Sequence, residues 1–360
     1  MSRNVVISLD QLLRAQPGGI GTYTRGLIKG LRDLEQSELN ITGIGPRGDA
    51  EALQRELGIA VVSAQLPLSL LSKLWATWPL GVPRNADVVH ATAMSGPFGG
   101  GASGSVHSAM IHDVLWRDVP ELTTKSGRDF HEARLQLLKR RDDVRVFVTS
   151  QMLRARLIDD GFAEDRLHVA RLGVDDDSVV PATASEVQVF LSELGVTGPF
   201  TLHVGTIEPR KNIERLIAGH ALARREAPEL GPLVLVGPRG WGNVSTGNAV
   251  VAGEVSRTIL KGLYRDATLV ACVPVAEGWG LPAVEALHAG TRRVVSTATP
   301  SVEGSSYVNF VDAFDVSSIA QGLVAGNNED DSEDSRRQRT ESVADLTWHE
   351  CAIAHVKGWQ

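Results

Sequence analysis

Two carboxylates eight positions apart, Glu277 and Glu285, flank Gly278-Trp279-Gly280-Leu281-Pro282. An apolar run at 269–275 precedes them and a helical pattern follows, so the stretch reads as a strand-to-helix junction. In an open parallel sheet, junctions at the carboxyl ends of strands are where ligands bind. Pro282 suits a first helical position and Gly290 the residue just past the end. A helix starting here leaves the N–H groups of Gly280 and Leu281 unpaired. Fixed acceptors beside free donors suit a ligand rich in hydroxyls. Taken alone, the pair has an equally open plain reading, with Glu277 a solvated loop residue and Glu285 a favourable charge near a positive helix end.

Other chemistry-bearing residues also fall after expected strands. Gly205-Thr206-Ile207-Glu208-Pro209-Arg210-Lys211-Asn212 follows a strand at 201–204. Arg210 and Lys211 then share a strand-to-helix turn, with Asn212 expected as N-cap. A helix's positive end already favours an anion there, so an anion site outweighs a merely solvated basic pair. Near the start, a strand at 5–9 leads to Pro17-Gly18-Gly19-Ile20-Gly21, expected as a loop, and to a helix from about Thr22. A glycine-rich turn lets backbone approach a phosphate closely. Thr24 breaks the dinucleotide fingerprint, and a loop that simply turns is the alternative. His112-Asp113 follow a strand ending at Ile111, where a histidine serves as a structural hydrogen-bonder or as a catalyst.

The elements that must position these residues alternate strand and helix along the chain, the pattern of a doubly wound α/β fold. A length of 360 residues implies about two domains, and 42% hydrophobic with 22% charged residues is ordinary for packed cores. Composition loosens between Asp176 and Gly198, which divides the chain into 1–177 and 198–345. Residues 68, 71, 74, 75 and 78 (Leu, Leu, Leu, Trp, Trp) share one face of a helical net near Lys73 and Arg84, forming core or a pocket wall, with a membrane-surface face as the alternative. The triplet Asp175-Asp176-Asp177 reads as a solvated turn, because no second ligand cluster accompanies it. Residues 327–334 read as an acidic surface loop. Thr347-Trp348-His349-Glu350 has capping-box spacing and opens an apolar helical stripe.

Composition also excludes classes of function. A net charge of −7 with no basic stripe argues against nucleic acid. No stretch has the length of a membrane span or the form of a signal peptide. Two cysteines build neither a disulfide framework nor a zinc site, so a reducing cytoplasm is expected.

Together these stretches resemble the nucleotide-sugar glycosyltransferases of family 4, which have the GT-B architecture. The residues that carry the likeness are Gly18-Gly19-Ile20-Gly21-Thr22-Tyr23, His112-Asp113, Gly173-Val174-Asp175, the run from Gly205 through Asn212, and the Glu277 and Glu285 pair in the family's Glu-x7-Glu signature. The likeness covers nearly the whole chain. It implies two Rossmann-like domains facing a cleft, with the acceptor mainly on the first, the NDP-sugar donor mainly on the second, and residues 346–360 crossing back onto the first.

By the same resemblance, Arg210 and Lys211 neutralise the donor diphosphate, aided by Gly205, and Glu285 binds the ribose. Glu277, with the backbone of Gly278, Trp279, Gly280 and Leu281, holds the sugar. Gly19 and Gly21 close over the diphosphate, His112 sits by the transferred carbon, and Tyr23 and Asp113 line the acceptor side. The implied reaction retains anomeric configuration and needs neither metal nor cofactor. GDP-mannose is the first expectation for the donor and UDP-sugars the next. Cytoplasmic placement is implied, with the inner membrane face as an option through residues 68–78. A GT-B nucleotide-sugar epimerase and a non-catalytic nucleotide- or glycan-binding protein are the alternatives. The chain departs from the family pattern at Thr206, where many relatives carry Arg, at Pro274-Val275-Ala276-Glu277, and at Arg293, which replaces a usual Pro.

Overall fold

A computed structural model describes residues 3–34, 39–99, 104–174 and 179–360; the triplet Asp175-Asp176-Asp177 lies outside them. The chain divides into two compact units, Met1–Gly173 with Leu346–Gln360, and Val174–Asp345. Among the described residues the first unit holds a seven-stranded sheet in the order β3-β2-β1-β4-β5-β6-β7. Its strands are β1 (Arg3–Ser8), β2 (Leu39–Gly45), β3 (Ala60–Ser63), β4 (Val88–Ala91), β5 (Val106–Ile111), β6 (Val144–Val148) and β7 (Leu167–Val169). In the second unit, β8 (Thr201–Val204), β9 (Leu233–Val236), β10 (Val250–Gly253), β11 (Leu269–Cys272), β12 (Arg293–Ser296) and β13 (Asn309–Val311) order as β10-β9-β8-β11-β12-β13.

Every pairing is parallel. Helices cover such sheets on both faces, which is why the central strands read as unbroken apolar runs. In β11 every residue from Leu269 to Cys272 is buried. Strand order reverses between β1 and β4 in one sheet and between β8 and β11 in the other. The run beginning at Gly205 follows β8, and the Glu277 stretch follows β11. Both motifs therefore emerge side by side at the switch point of the second sheet, where α/β folds bind ligands.

Several expectations shift. The helix expected from Thr22 begins at Gly18 and runs to Arg32, because Pro17 already has helical φ and its carbonyl takes the Gly21 N–H at 3.0 Å. The loosened stretch before Gly198 contains the helix Ala184–Glu193, started by a complete capping box between Thr183 and Glu186. This helix belongs to the second unit. Residues 327–334 are loop only in part, since one helix ends at Asn327 and another starts at Glu333. The tryptophan face also divides. The helix is Leu68–Leu74; Leu71 and Trp75 are buried, whereas Trp78, next to Pro79, is 69% exposed.

In the first unit, the helix Trp348–Gly358 lies against Gly18–Arg32. The approach is so close that a Cβ at Gly26 would fall 2.1 Å from the Trp348 ring, and one at Gly30 2.1 Å from the Trp348 carbonyl. These two glycines, one turn apart, form the groove that admits the last helix. Buried hydrogen bonds fasten it. His355 Nδ1 donates to the Cys351 carbonyl at 2.8 Å, which leaves its Nε2 to accept from Tyr23 Oη, also at 2.8 Å. Tyr23 Oη then accepts from His90 Nε2 at 2.8 Å, His90 Nδ1 accepts from Ser108 Oγ at 2.9 Å, and Ser108 Oγ accepts from Trp359 Nε1 at 3.0 Å. One tautomer of each histidine completes the chain of donors, and both rings are neutral in it.

Burial pushes the His355 pKa down to about 4 and that of His90 well below the usual imidazole value. The unfolded chain therefore binds more protons than the folded one between about pH 6.5 and 4, so stability is full above 6.5 and falls as pH drops. Urea unfolding across that window should show a falling free energy, and a flat profile there would contradict the neutral relay.

Candidate functional site

The second unit's site is built from two turns at the switch point. After β8, Pro209–Lys211 forms a single 3-10 turn. Asn212 follows in left-handed geometry (φ 61°) and is buried. It is not the side-chain N-cap expected of it. Its Nδ2 donates to the carbonyls of Val273 (3.0 Å) and Ala313 (2.7 Å), while its Oδ1 accepts from Arg215. An amide so committed cannot cap a helix, but it ties the Arg210 turn to the chain leaving β11. After β11, Gly280 caps the helix Leu281–His288 at φ 99°. A Cβ at Gly280 would lie 2.3 Å from Thr299 Cγ2, so both backbone angle and space require glycine.

These turns bring Arg210, Lys211 and Glu277 together. Glu277 Oε1 accepts from Arg210 Nη1 at 3.1 Å and Oε2 from Lys211 Nζ at 2.5 Å, and Arg210 Nη2 donates to Glu208 Oε1 at 2.7 Å. Burial alone would raise the Glu277 carboxyl, but Lys211 and Arg210 outweigh it and hold it at about 2. Two cations thus meet two carboxylates. Glu285, half-buried one turn into the helix, accepts from Tyr264 Oη at 2.7 Å. Burial raises its pKa, and the Tyr264 hydroxyl offsets part of that rise. Trp279 is buried, and its carbonyl accepts from Ser301 N at 2.9 Å. Gly205, at φ 152°, lies beside the Lys211 stem.

In the first unit, His112 is half-buried at the end of β5, and its Nε2 donates to the Thr92 carbonyl at 2.8 Å. Its neutral form therefore presents Nδ1 as a lone-pair acceptor, and burial keeps its pKa below the usual value. Asp113 Oδ1 accepts from Leu115 N at 3.2 Å. Tyr23 does not line an acceptor surface: it is fully buried, its hydroxyl lies between His90 and His355, and its ring packs near-perpendicular to that of His112, with centroids 5.0 Å apart. Gly21 is likewise no phosphate donor, because the first helical turn consumes its N–H. Gly19 stays exposed. Arg293, the departure from the usual Pro, is fully buried and donates to the carbonyls of Thr291 and Tyr307, fastening the chain ahead of β13.

Sequence reasoning passed over Glu208, Tyr264, His203 and Thr299. Glu208 carries the one available signal, a negative charge two positions before Arg210. Tyr264 reaches Glu285 from the helix Arg257–Asp266, a contact with no local signal. Among the described residues, no three His, Cys, Asp or Glu converge as metal ligands.

No protein-family model matches the chain. Over 258 residues it is 27% identical to O-antigen chain mannosyltransferase B of Escherichia coli, covering 68% of this chain and 63% of that protein. It is 28% identical over 193 residues to the serotype-specific mannosyltransferase WbdA of E. coli, covering 49% of this chain and 23% of WbdA. The chain thus spans less than two thirds of either relative. The crystal structure of Anabaena Alr3699/HepE in complex with UDP and glucose superposes with a TM-score of 0.74 at 17% identity, over 99% of this chain and 98% of that one. The likeness shows the fold: two Rossmann-like, doubly wound parallel-sheet domains of the GT-B class.

Because Tyr264 donates to Glu285, its removal should raise the Glu285 pKa further. Carboxyl-detected NMR titration of Tyr264→Phe should place Glu285 higher than in wild type; an equal or lower value would show that the hydroxyl does not support the charged form.

Proposed function

We propose that this chain is a retaining, metal-independent glycosyltransferase that moves a hexose from a nucleoside diphosphate sugar to an acceptor hydroxyl. The observation that carries the reading is the meeting of Arg210, Lys211 and Glu277 at the switch point of the second sheet, in a chain whose relatives include two mannosyltransferases of E. coli. Mannose is the sugar those relatives' names favour; we take GDP-mannose as the first donor, and the UDP and glucose complex of a fold neighbour keeps UDP-sugars next.

In this reaction the bond from the anomeric carbon to the diphosphate oxygen breaks, and the nucleoside diphosphate leaves with the electron pair. The acceptor oxygen bonds the anomeric carbon on the same face, and its proton passes to the departing phosphate oxygen. Positive charge grows on the sugar ring while negative charge grows on the diphosphate. Arg210 and Lys211, once seated on the bound diphosphate, stabilise that developing anion, which is how cations lower a barrier in a water-poor site. They take the place that a divalent ion fills elsewhere, and no cofactor is required. Glu285 accepts from ribose hydroxyls and Glu277 from the sugar. His112 and Asp113 are the acceptor-side candidates of the first unit.

We also place the enzyme in the cytoplasm. Exposed Trp78 (69%) and Leu80 (41%), near Lys73 and Arg84 in sequence, supply the apolar and basic character of a peripheral membrane contact. No helix among the described residues is long and apolar enough to cross a membrane.

Lys211→Ala should lower turnover with GDP-mannose or UDP-glucose more than tenfold, roughly 1.4 kcal/mol of transition-state stabilisation or more, and full activity should survive EDTA. Unchanged kinetics in the variant would remove the leaving-group role, and loss of activity on chelation would remove metal independence.

A further inference from the structure

A narrow cavity of about 10 Å3 lies beside the ion-pair cluster, lined in part by His203, Lys211, Cys272, Glu277, Gly280 and Thr299. Such a volume holds about one water-sized group. Two lining residues carry polar atoms with no partner among the described residues, His203 Nε2 and Thr299 Oγ1, and the residues are only 1% and 2% exposed. A buried polar atom left unpaired is costly, so two of them on residues that line one cavity point to a group held there.

The chemistry of that group follows from its walls. His203 Nδ1 donates to the Ala271 carbonyl at 2.8 Å, which leaves Nε2 as a bare acceptor. Burial pushes the imidazole down to about 4, so Nε2 stays unprotonated at neutral pH. The Thr299 hydroxyl has a proton to give. Cys272 is a weak donor, its thiol pushed up to about 12 by burial, and Lys211 Nζ is directed at Glu277 Oε2. The missing group must donate to a nitrogen and pair with a hydroxyl, which can give its proton or accept one. A methyl group does neither, and an ionised carboxylate or phosphate has no proton to give; a hydroxyl does both. Because the cavity shares Lys211, Glu277 and Gly280 with the candidate site, a ligand hydroxyl that enters it belongs to the molecule bound there.

We propose that this cavity is a hydroxyl-selecting subsite for the donor sugar, in which His203 and Thr299 determine the hydroxyl pattern that is accepted. This inference rests on the glycosyl-transfer reading. A sugar hydroxyl takes the place of a water with the same hydrogen-bonding chemistry, donating to His203 Nε2 and accepting from Thr299 Oγ1. A donor lacking that hydroxyl leaves both atoms unpaired, and sites built in this way reject the deoxy analogue strongly.

The test is calorimetric titration of the wild type, Thr299→Val, His203→Phe and His203→Gln with GDP, UDP, GDP-mannose, UDP-glucose and the monodeoxy forms of the sugar donor that binds. In wild type one monodeoxy donor should bind about tenfold or more weaker than its parent. Thr299→Val and His203→Phe should shrink that penalty to about threefold or less, and His203→Gln, whose side-chain oxygen restores an acceptor, should recover part of it. Binding of the nucleoside diphosphate alone reports that each variant is folded, and the near-isosteric Thr299→Val carries the test if His203→Phe does not fold. The proposal is overturned if every monodeoxy donor binds wild type as tightly as its parent, which is the result for a cavity that keeps its water. It is equally overturned if the penalty is unchanged in Thr299→Val. Binding of nucleoside diphosphate with no discrimination among sugars defeats this proposal alone; failure of every nucleotide and sugar nucleotide to bind wild type defeats the glycosyl-transfer reading with it.

Discussion

The contact on which the candidate site depends is the bridge of one carboxylate, Glu277, between two cations, Arg210 and Lys211. All three side chains are largely buried, and such charges are stable only when paired. The bridge joins the turn after β8 to the turn after β11, two segments that are neighbours because their strands pair in parallel. Asn212 reinforces the junction through the Val273 carbonyl. The cations expected to meet a diphosphate are neutralised from within, by Glu277 and by Glu208 on Arg210. Thr206, beside them in the same turn, adds no charge of its own. In our account the ligand's phosphates compete with Glu277 for Arg210 and Lys211, and the carboxylate turns to the sugar as its partners turn to the diphosphate.

Different physics organises the first unit. Its key contact is steric before it is polar, because Gly26 and Gly30 let the last helix approach closely enough for His355 and Trp359 to reach Tyr23 and Ser108. The resulting chain of hydrogen bonds is directional and fully buried, and partly satisfied polar networks of that kind are costly. Tyr23 carries the consequence outward, since its ring packs against that of His112. The side chain placed by resemblance on the acceptor side is thus a support for a candidate beside it.

The central strands were legible because residues buried on both faces leave continuous apolar runs: β8 and β9 have the expected bounds, and β11 begins where expected. Short edge strands such as β3 and β10, with half their residues or more only partly buried, left no such trace. Glycine misled at Gly18-Gly19-Ile20-Gly21, where composition suggested a loop but Pro17 had already set a helical start. At the site, the types and adjacency of Arg210, Lys211, Glu277 and Glu285 were readable. Their pairing was not, because Glu277 with Lys211 and Glu285 with Tyr264 are contacts between different βα units, fixed only when the strands align. His203 was hidden for the same reason: a histidine inside an apolar strand looks like core until its second nitrogen is found without a partner.

The claim that Glu277 and a bound diphosphate compete for the same cations is tested most directly by the dissociation constant of free GDP or UDP for Glu277→Gln, measured by calorimetry beside wild type. Removing this anion withdraws the carboxylate from Lys211 and leaves Arg210 with Glu208 alone as its carboxylate partner, while shape stays nearly unchanged, so the account predicts tighter binding in the variant, by about tenfold, or roughly 1.4 kcal/mol. Equal or weaker binding would contradict it, and would mean that the bridge holds the turns in place without standing in for the phosphates.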